Sequence, residues 1–113
     1  MAADVSRVKT ERHAVKEWAW TALATTGKTI DFEGVDENCV ILITGTANDT
    51  VTFVKGDHIQ GVADLAVSIT ADKLYAIAIP SMEFKNVSGT NKGLVVVKGA
   101  STSKVAVVEI DQL

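Results

Sequence analysis

Proline is nearly missing from this chain, with 1 in 113 residues, and so are cysteine, with 1, and histidine, with 2. One cysteine excludes an intrachain disulfide framework. Two histidines without HxH or HExxH spacing leave no metalloprotease or zinc-site signature. Aromatic residues make up only 5% of the chain, so few large planar side chains are available to build a core or a ligand platform. No basic run is present, and a net charge of −3 with a pI near 5.2 removes the electrostatic footprint of a general nucleic-acid binder. The longest apolar stretch, residues 74–80, is far too short to span a bilayer as a helix. The N-terminus, Met1-Ala2-Ala3-Asp4-Val5-Ser6-Arg7, has no apolar core of a signal peptide. With the lone Cys39, this predicts a protein made in the cytoplasm.

Valine and isoleucine lead the 47% hydrophobic share, and together with threonine the β-branched residues number 36. Two substituents on Cβ restrict χ1, which disfavours a helix and suits a pleated strand. A chain of 113 residues has room for one domain with one modest core. The composition predicts that domain to be all-β.

The polar, charged residues 1–12 carry no strand periodicity and read as a flexible N-terminal arm, with the domain occupying residues 13–113. A strand starting near Ala14 is expected to carry Trp18 and Trp20 on one face. Further strands follow at short spacing. Ile30 and Phe32 alternate with Thr29 and Asp31. The run Cys39-Val40-Ile41-Leu42-Ile43 is apolar without alternation, which fits a central strand covered on both faces or one whose outer face meets a partner. Val51 and Phe53 alternate with Thr50 and Thr52. Leu65, Val67 and Ile69 alternate with Ala66, Ser68 and Thr70, the half-buried pattern at its clearest. Ala71-Asp72-Lys73 connects tightly to a strand over 74–79, which Pro80 ends. Residues 84–87 read as a short strand, and residues 94–98 and 104–110 as a final hairpin. Eight to nine short strands with turns every eight to twelve residues predict a β-sandwich or β-barrel, jelly-roll-like or Ig-like.

The chemistry-bearing residues form no catalytic constellation, and the chain reads as no enzyme and as needing no cofactor or metal. His13 falls in the polar arm. His58, between Asp57 and Ile59 with Asp64 nearby, reads first as a loop residue bonding locally rather than as a metal ligand. Cys39 opens the most apolar strand and reads as a small hydrophobe. Ser88-Gly89-Thr90-Asn91-Lys92-Gly93 lacks the GxxxxGK[ST] pattern and a following helix, so it is a turn and not a phosphate cradle. Trp18-Ala19-Trp20 reads as a core or interface anchor ahead of a sugar-stacking platform. The candidate interface residues are Arg7 and Val8 in the arm, Trp18 and Trp20, and His58 and Ile59 in the loop.

The segment Gly56-Asp57-His58-Ile59-Gln60-Gly61-Val62-Ala63-Asp64-Leu65, the strand that follows it, Phe84-Lys85-Asn86-Val87-Ser88-Gly89, and the closing Lys104-Val105-Ala106-Val107-Val108-Glu109-Ile110 together resemble small tailed-bacteriophage virion proteins that decorate or cement the head. The resemblance covers residues 38–110 and rests on the spacing G-D-x-I-Q-G-V-x-D-L, a strand, then F-K-N-x-S-G. It implies a structural protein on the capsid surface, with the major capsid protein as partner and self-association, a trimer favoured. It supplies no active-site residues, and charge and the short apolar runs predict no nucleic-acid or membrane partner. The alternatives are a carbohydrate-binding module using Trp18 and Trp20, or another phage part such as a tail or head-completion protein.

Overall fold

The computed structural model describes residues 4–5, 7–10, 17–32, 39–57, 63–79, 84–87, 89 and 91–110. They form nine strands: β1 (Arg7–Lys9), β2 (Thr21–Ala22), β3 (Lys28–Ile30), β4 (Cys39–Gly45), β5 (Asp49–Phe53), β6 (Leu65–Ile69), β7 (Leu74–Ile77), β8 (Val95–Lys98) and β9 (Ser103–Glu109). Two sheets pack face to face without closing into a barrel. Sheet I runs β1-β9-β4-β7, with β2 also on β9, and sheet II runs β3-β8-β5-β6.

The pairing has a simple order. β2 pairs with β9, β3 with β8, β4 with β7 and β5 with β6, all antiparallel. The two halves of the chain therefore run as one long hairpin, turned between β5 and β6. The further antiparallel pairs β4–β9 and β5–β8 roll that hairpin into two sheets. This is the order of an eight-stranded jelly roll, with β1 added. It resolves the choice among jelly roll, Ig-like sandwich and barrel that periodicity leaves open.

One expected hairpin is absent as such. Residues 94–98 and 104–110 do supply β8 and β9, but the two strands lie in different sheets. The connection between them crosses the sandwich, and so do those between β2 and β3, β4 and β5, and β6 and β7. These crossings meet at one end. Gly99 N donates to Ala24 O, Thr46 N to Thr102 O and Asp72 N to Gly45 O. Ala71 N donates to Asn48 Oδ1. Asp72 sits at φ 63°, a left-handed conformation that the short polar side chain of Asp tolerates in a tight crossing. A Cβ at Gly99 would stand 2.8 Å from Leu23 Cδ1 and 3.2 Å from Asp49 Oδ2, so a larger residue there requires the Leu23 and Asp49 side chains to shift.

The core lies between the sheets and is built by period-2 alternation. Ile41, Ile43, Val105 and Val107 point in from sheet I, and Val51, Phe53, Val95, Val97 and Ile69 from sheet II. Cys39 is buried in that cluster, at the place of a small hydrophobe.

The N-terminal segment departs from the expected loose arm. Val5 is fully buried, forms a bridge to Ile30 of sheet II, and donates its N–H to Thr29 O. Asp4 accepts bonds from the backbone N–H and the hydroxyl of Thr29. β1 then crosses to sheet I and pairs parallel with β9. The backbone hydrogen bonds and the burial of one valine supply what a composition-based reading of so polar a segment omits. The expected strand around Trp18 and Trp20 also differs: residues 17–20 are outside any strand, and β2 begins at Thr21. Residues 84–87 contribute only an isolated bridge, Lys85 to Val95, with Phe84 buried.

Candidate functional site: the outer face of sheet I

In an antiparallel sandwich the outward side chains normally meet water and are polar. Sheet II follows this rule. Its outward positions include Thr29, Thr50, Thr52, Ser68 and Lys98, with Val96 and Ala66 among them. Sheet I does not. Residues opposite one another in a ladder share a face, so the registers place Val8, Val108 and Val40 in one outward row. Ala106, Leu42 and Ala76 form the next row, and Ala22, Lys104, Thr44 and Leu74 the third. Lys104 is the one charged residue in these three rows.

The burial pattern agrees with this. In β4 the inward residues are buried, while outward Val40, Leu42 and Thr44 are half-buried. In β9 outward Ala106 and Val108 are only 0% and 4% exposed, though neither belongs to the inter-sheet core cluster. At the edge of the face Leu74 is 62% exposed. The result is an apolar strip across four strands, packed closely over β9 and increasingly open toward β7.

The sequence-derived interface residues divide around this strip. Val8 lies in it. Trp18 and Trp20 just precede β2, and both are exposed large hydrophobics. Arg7 is turned elsewhere: its guanidinium pairs with the Glu109 carboxylate, which Lys9 also approaches at 3.9 Å. Glu109 is almost fully buried, so this contact neutralises a charge inside the fold and holds β1 in register, a positioning role more than a stabilising one. Thr10 closes the same end, its backbone N–H and hydroxyl both donating to Glu109 O. His58 and Ile59, and His13, lie outside the described residues. Leu42, Ala76 and Leu74 were missed as site residues. The lack of alternation in residues 39–43 signals Leu42, whereas Ala76 and Leu74 join it only through the pairing register.

A second feature is polar. Asn48, Asp49, Thr50, Ser68, Ile69 and Thr70 line an open depression of about 590 Å³ on the rim where β5 meets β6. The hydrogen bonds here serve the fold. Asp49 Oδ2 accepts from Ser103 Oγ at 2.6 Å and from Ala100 N at 2.9 Å, and Asn48 Oδ1 is engaged by Ala71 N. The Ser103 hydroxyl, ahead of the backbone donors, holds the Asp49 carboxyl below the ordinary carboxylate range against a partly opposing burial. Asp49 opens β5 in sheet II and Ser103 opens β9 in sheet I, so the pair ties the two sheets together. The Gly89 and Gly93 turn is likewise closed by its own backbone, Gly93 N donating to Asn86 O.

Among the described residues no group of three His, Cys, Asp or Glu side chains is placed to hold a metal, and no helix is long and apolar enough to cross a membrane. No known protein family, curated protein or solved structure matches the chain.

Proposed function

We propose that this chain is a structural virion protein that docks on the outer surface of a tailed-phage capsid and stabilises its lattice, acting by binding and without catalysis. The observation that carries the reading is the apolar outer face of sheet I, set against the hydroxyl-rich outer face of sheet II. The open part of this strip, toward Leu74, supports reading it as an interaction surface. The resemblance of residues 38–110 to head decoration proteins supplies the partner, the major capsid protein. Fold alone does not do so, since jelly rolls serve capsid, lectin and other roles. Val8, Val40, Leu42 and Leu74 make the apolar contact, with Trp18 and Trp20 as anchors nearby.

The energetics suit a cement. A ligand that binds only the mature lattice stabilises it by mass action, and many modest contacts repeated over one shell hold as a set. The protein is then made in the host cytoplasm and ends on the virion surface. The test is to produce capsids with and without it. Capsids lacking the protein lose heat resistance and regain it on adding the purified chain. Unchanged heat resistance together with no binding of the added chain overturns the proposal.

A second reading rests on the exposure of both Trp18 and Trp20, which suits stacking on a sugar ring. Titrating a broad glycan panel while following tryptophan fluorescence separates the two. A saturable glycan response that leaves capsids unbound favours a carbohydrate-binding module.

A further inference from the structure

The two long sides of the sandwich are finished differently. On one side the edge strands are β1, β2 and β3, only two or three residues each, carrying Arg7, Lys9 and Lys28. There the N-terminal segment spans both sheets, and Val5 and Ile30 beneath it are fully buried. On the other side the edges are β6 and β7, and among the described residues each pairs with a single neighbour. Neither holds a charged residue, and no bulge or proline interrupts them. The inward hydrophobics on this side, Leu65, Val67, Tyr75, Ile77 and Ile79, are only partly buried. Natural sheets blunt an open edge with very short strands, charge, proline, a bulge or a covering segment, and among its described residues this edge has only the first in part, β7 being four residues long.

We propose that β7 pairs antiparallel with β7 of a second copy of this chain, about a twofold axis at Ala76. Edge shape, register and charge select this occupant. A head-to-tail joint would set β7 against the short, charged edges of the far side, so an isologous joint is the one that matches edge to edge. Faces match only when residues of like orientation oppose one another, and centring on Ala76 overlays the uncharged residues 74–78 of both copies, Leu74 against Ala78. That register also places the two Lys73 residues about 20 Å apart along the ladder, beyond the screening length at physiological salt. A side roughly 20 Å long and about 20 Å high presents on the order of 400 Å², half of what one partner gives to a standard interface. The pairing is therefore weak and concentration-dependent in solution, and strongest where copies are held side by side. It replaces the expected trimer with a dimer.

The joint is testable on the purified chain without any capsid, so its failure is separable from failure of the docking reading. Opposed residues in an antiparallel ladder stand about 4.5–5.5 Å apart at Cα, within disulfide range. The Ala76→Cys chain, substituted at an exposed position on the outward face, cross-links under mild oxidation at least tenfold faster than the Thr52→Cys chain, substituted on the outward face of sheet II. Adding Leu74→Lys with Ala78→Lys sets like charges opposite each other and slows the cross-link about tenfold. Leu74→Lys with Ala78→Glu restores it. Equal rates for the Ala76→Cys and Thr52→Cys chains, no rescue by the charge swap, or a trimeric native mass each overturn the proposal.

Discussion

The two sheets are alike where they face each other and unlike where they face outward. Both bury isoleucine, valine and, in sheet II, Phe53 against the common core. Outward, sheet II presents mainly Thr29, Thr50, Thr52 and Ser68 with Lys98, Val96 and Ala66, while sheet I presents mainly Val8, Val40, Leu42, Ala76 and Leu74 with Thr44 and Lys104. The core face of a strand is set by folding alone, because any other pattern fails to bury enough apolar surface. The outer face is free to vary; over β9 the chain itself buries Ala106 and Val108, and it is the open part toward β7, where Leu74 is exposed, that points to a demand from outside the chain.

The largest expected effects test the likeness. Phe53→Ala in sheet II costs about 3–5 kcal/mol and Ile43→Ala in sheet I about 2–5 kcal/mol, read by urea unfolding. A loss under about 1 kcal/mol at either would mean that the two inner faces do not share one core. Next comes the tie between the sheets. Ser103→Ala leaves the Asp49 carboxylate without its shortest bond and costs about 1.5–3 kcal/mol at pH 7. Because the folded-state pKa of Asp49 is depressed, its contribution is present above the ordinary value of about 3.9 and fades as pH falls through the lower folded-state value. The gap between wild type and Ser103→Ala therefore narrows in acid. A gap that widens below about pH 4 contradicts the assignment.

On the sealed side of the sandwich, Val5→Ala removes two buried methyl groups and costs about 1–3 kcal/mol, although it lies in what reads as a polar arm. Truncation before Arg7 sharpens the same point, since full stability without Val5 would return residues 4–9 to the status of a loose arm. The smallest stability effects fall on the outer faces. Leu42→Lys and Thr52→Lys, on sheets I and II, each change stability by less than about 1 kcal/mol, as substitutions away from the core do.

Much of the fold is legible in the sequence. The alternation of Leu65, Val67 and Ile69 with small polar residues marks β6 and its inward face, and the unbroken run from Cys39 marks a central strand of sheet I with an apolar outer side. Strand existence follows from local pattern because the pleat forces side chains to alternate. Strand order does not, which is why residues 94–98 and 104–110 read as a hairpin although a crossing connection separates β8 from β9. β1 was hidden because three residues flanked by charge carry too little pattern, and its pairing partner β9 lies at the far end of the chain. The candidate site was legible only in part. Val8 and the apolar run at residues 39–43 point toward it, whereas Arg7, a candidate as part of the N-terminal arm, is occupied with Glu109.

The central claim is that the outer face of sheet I is the docking surface and that of sheet II is not. The most direct measurement is co-sedimentation of purified Leu42→Lys and Thr52→Lys chains with capsids lacking this protein. The account predicts that Leu42→Lys binds at least tenfold more weakly than wild type while Thr52→Lys binds as wild type does. Equal binding by the two variants, or loss confined to Thr52→Lys, would contradict it.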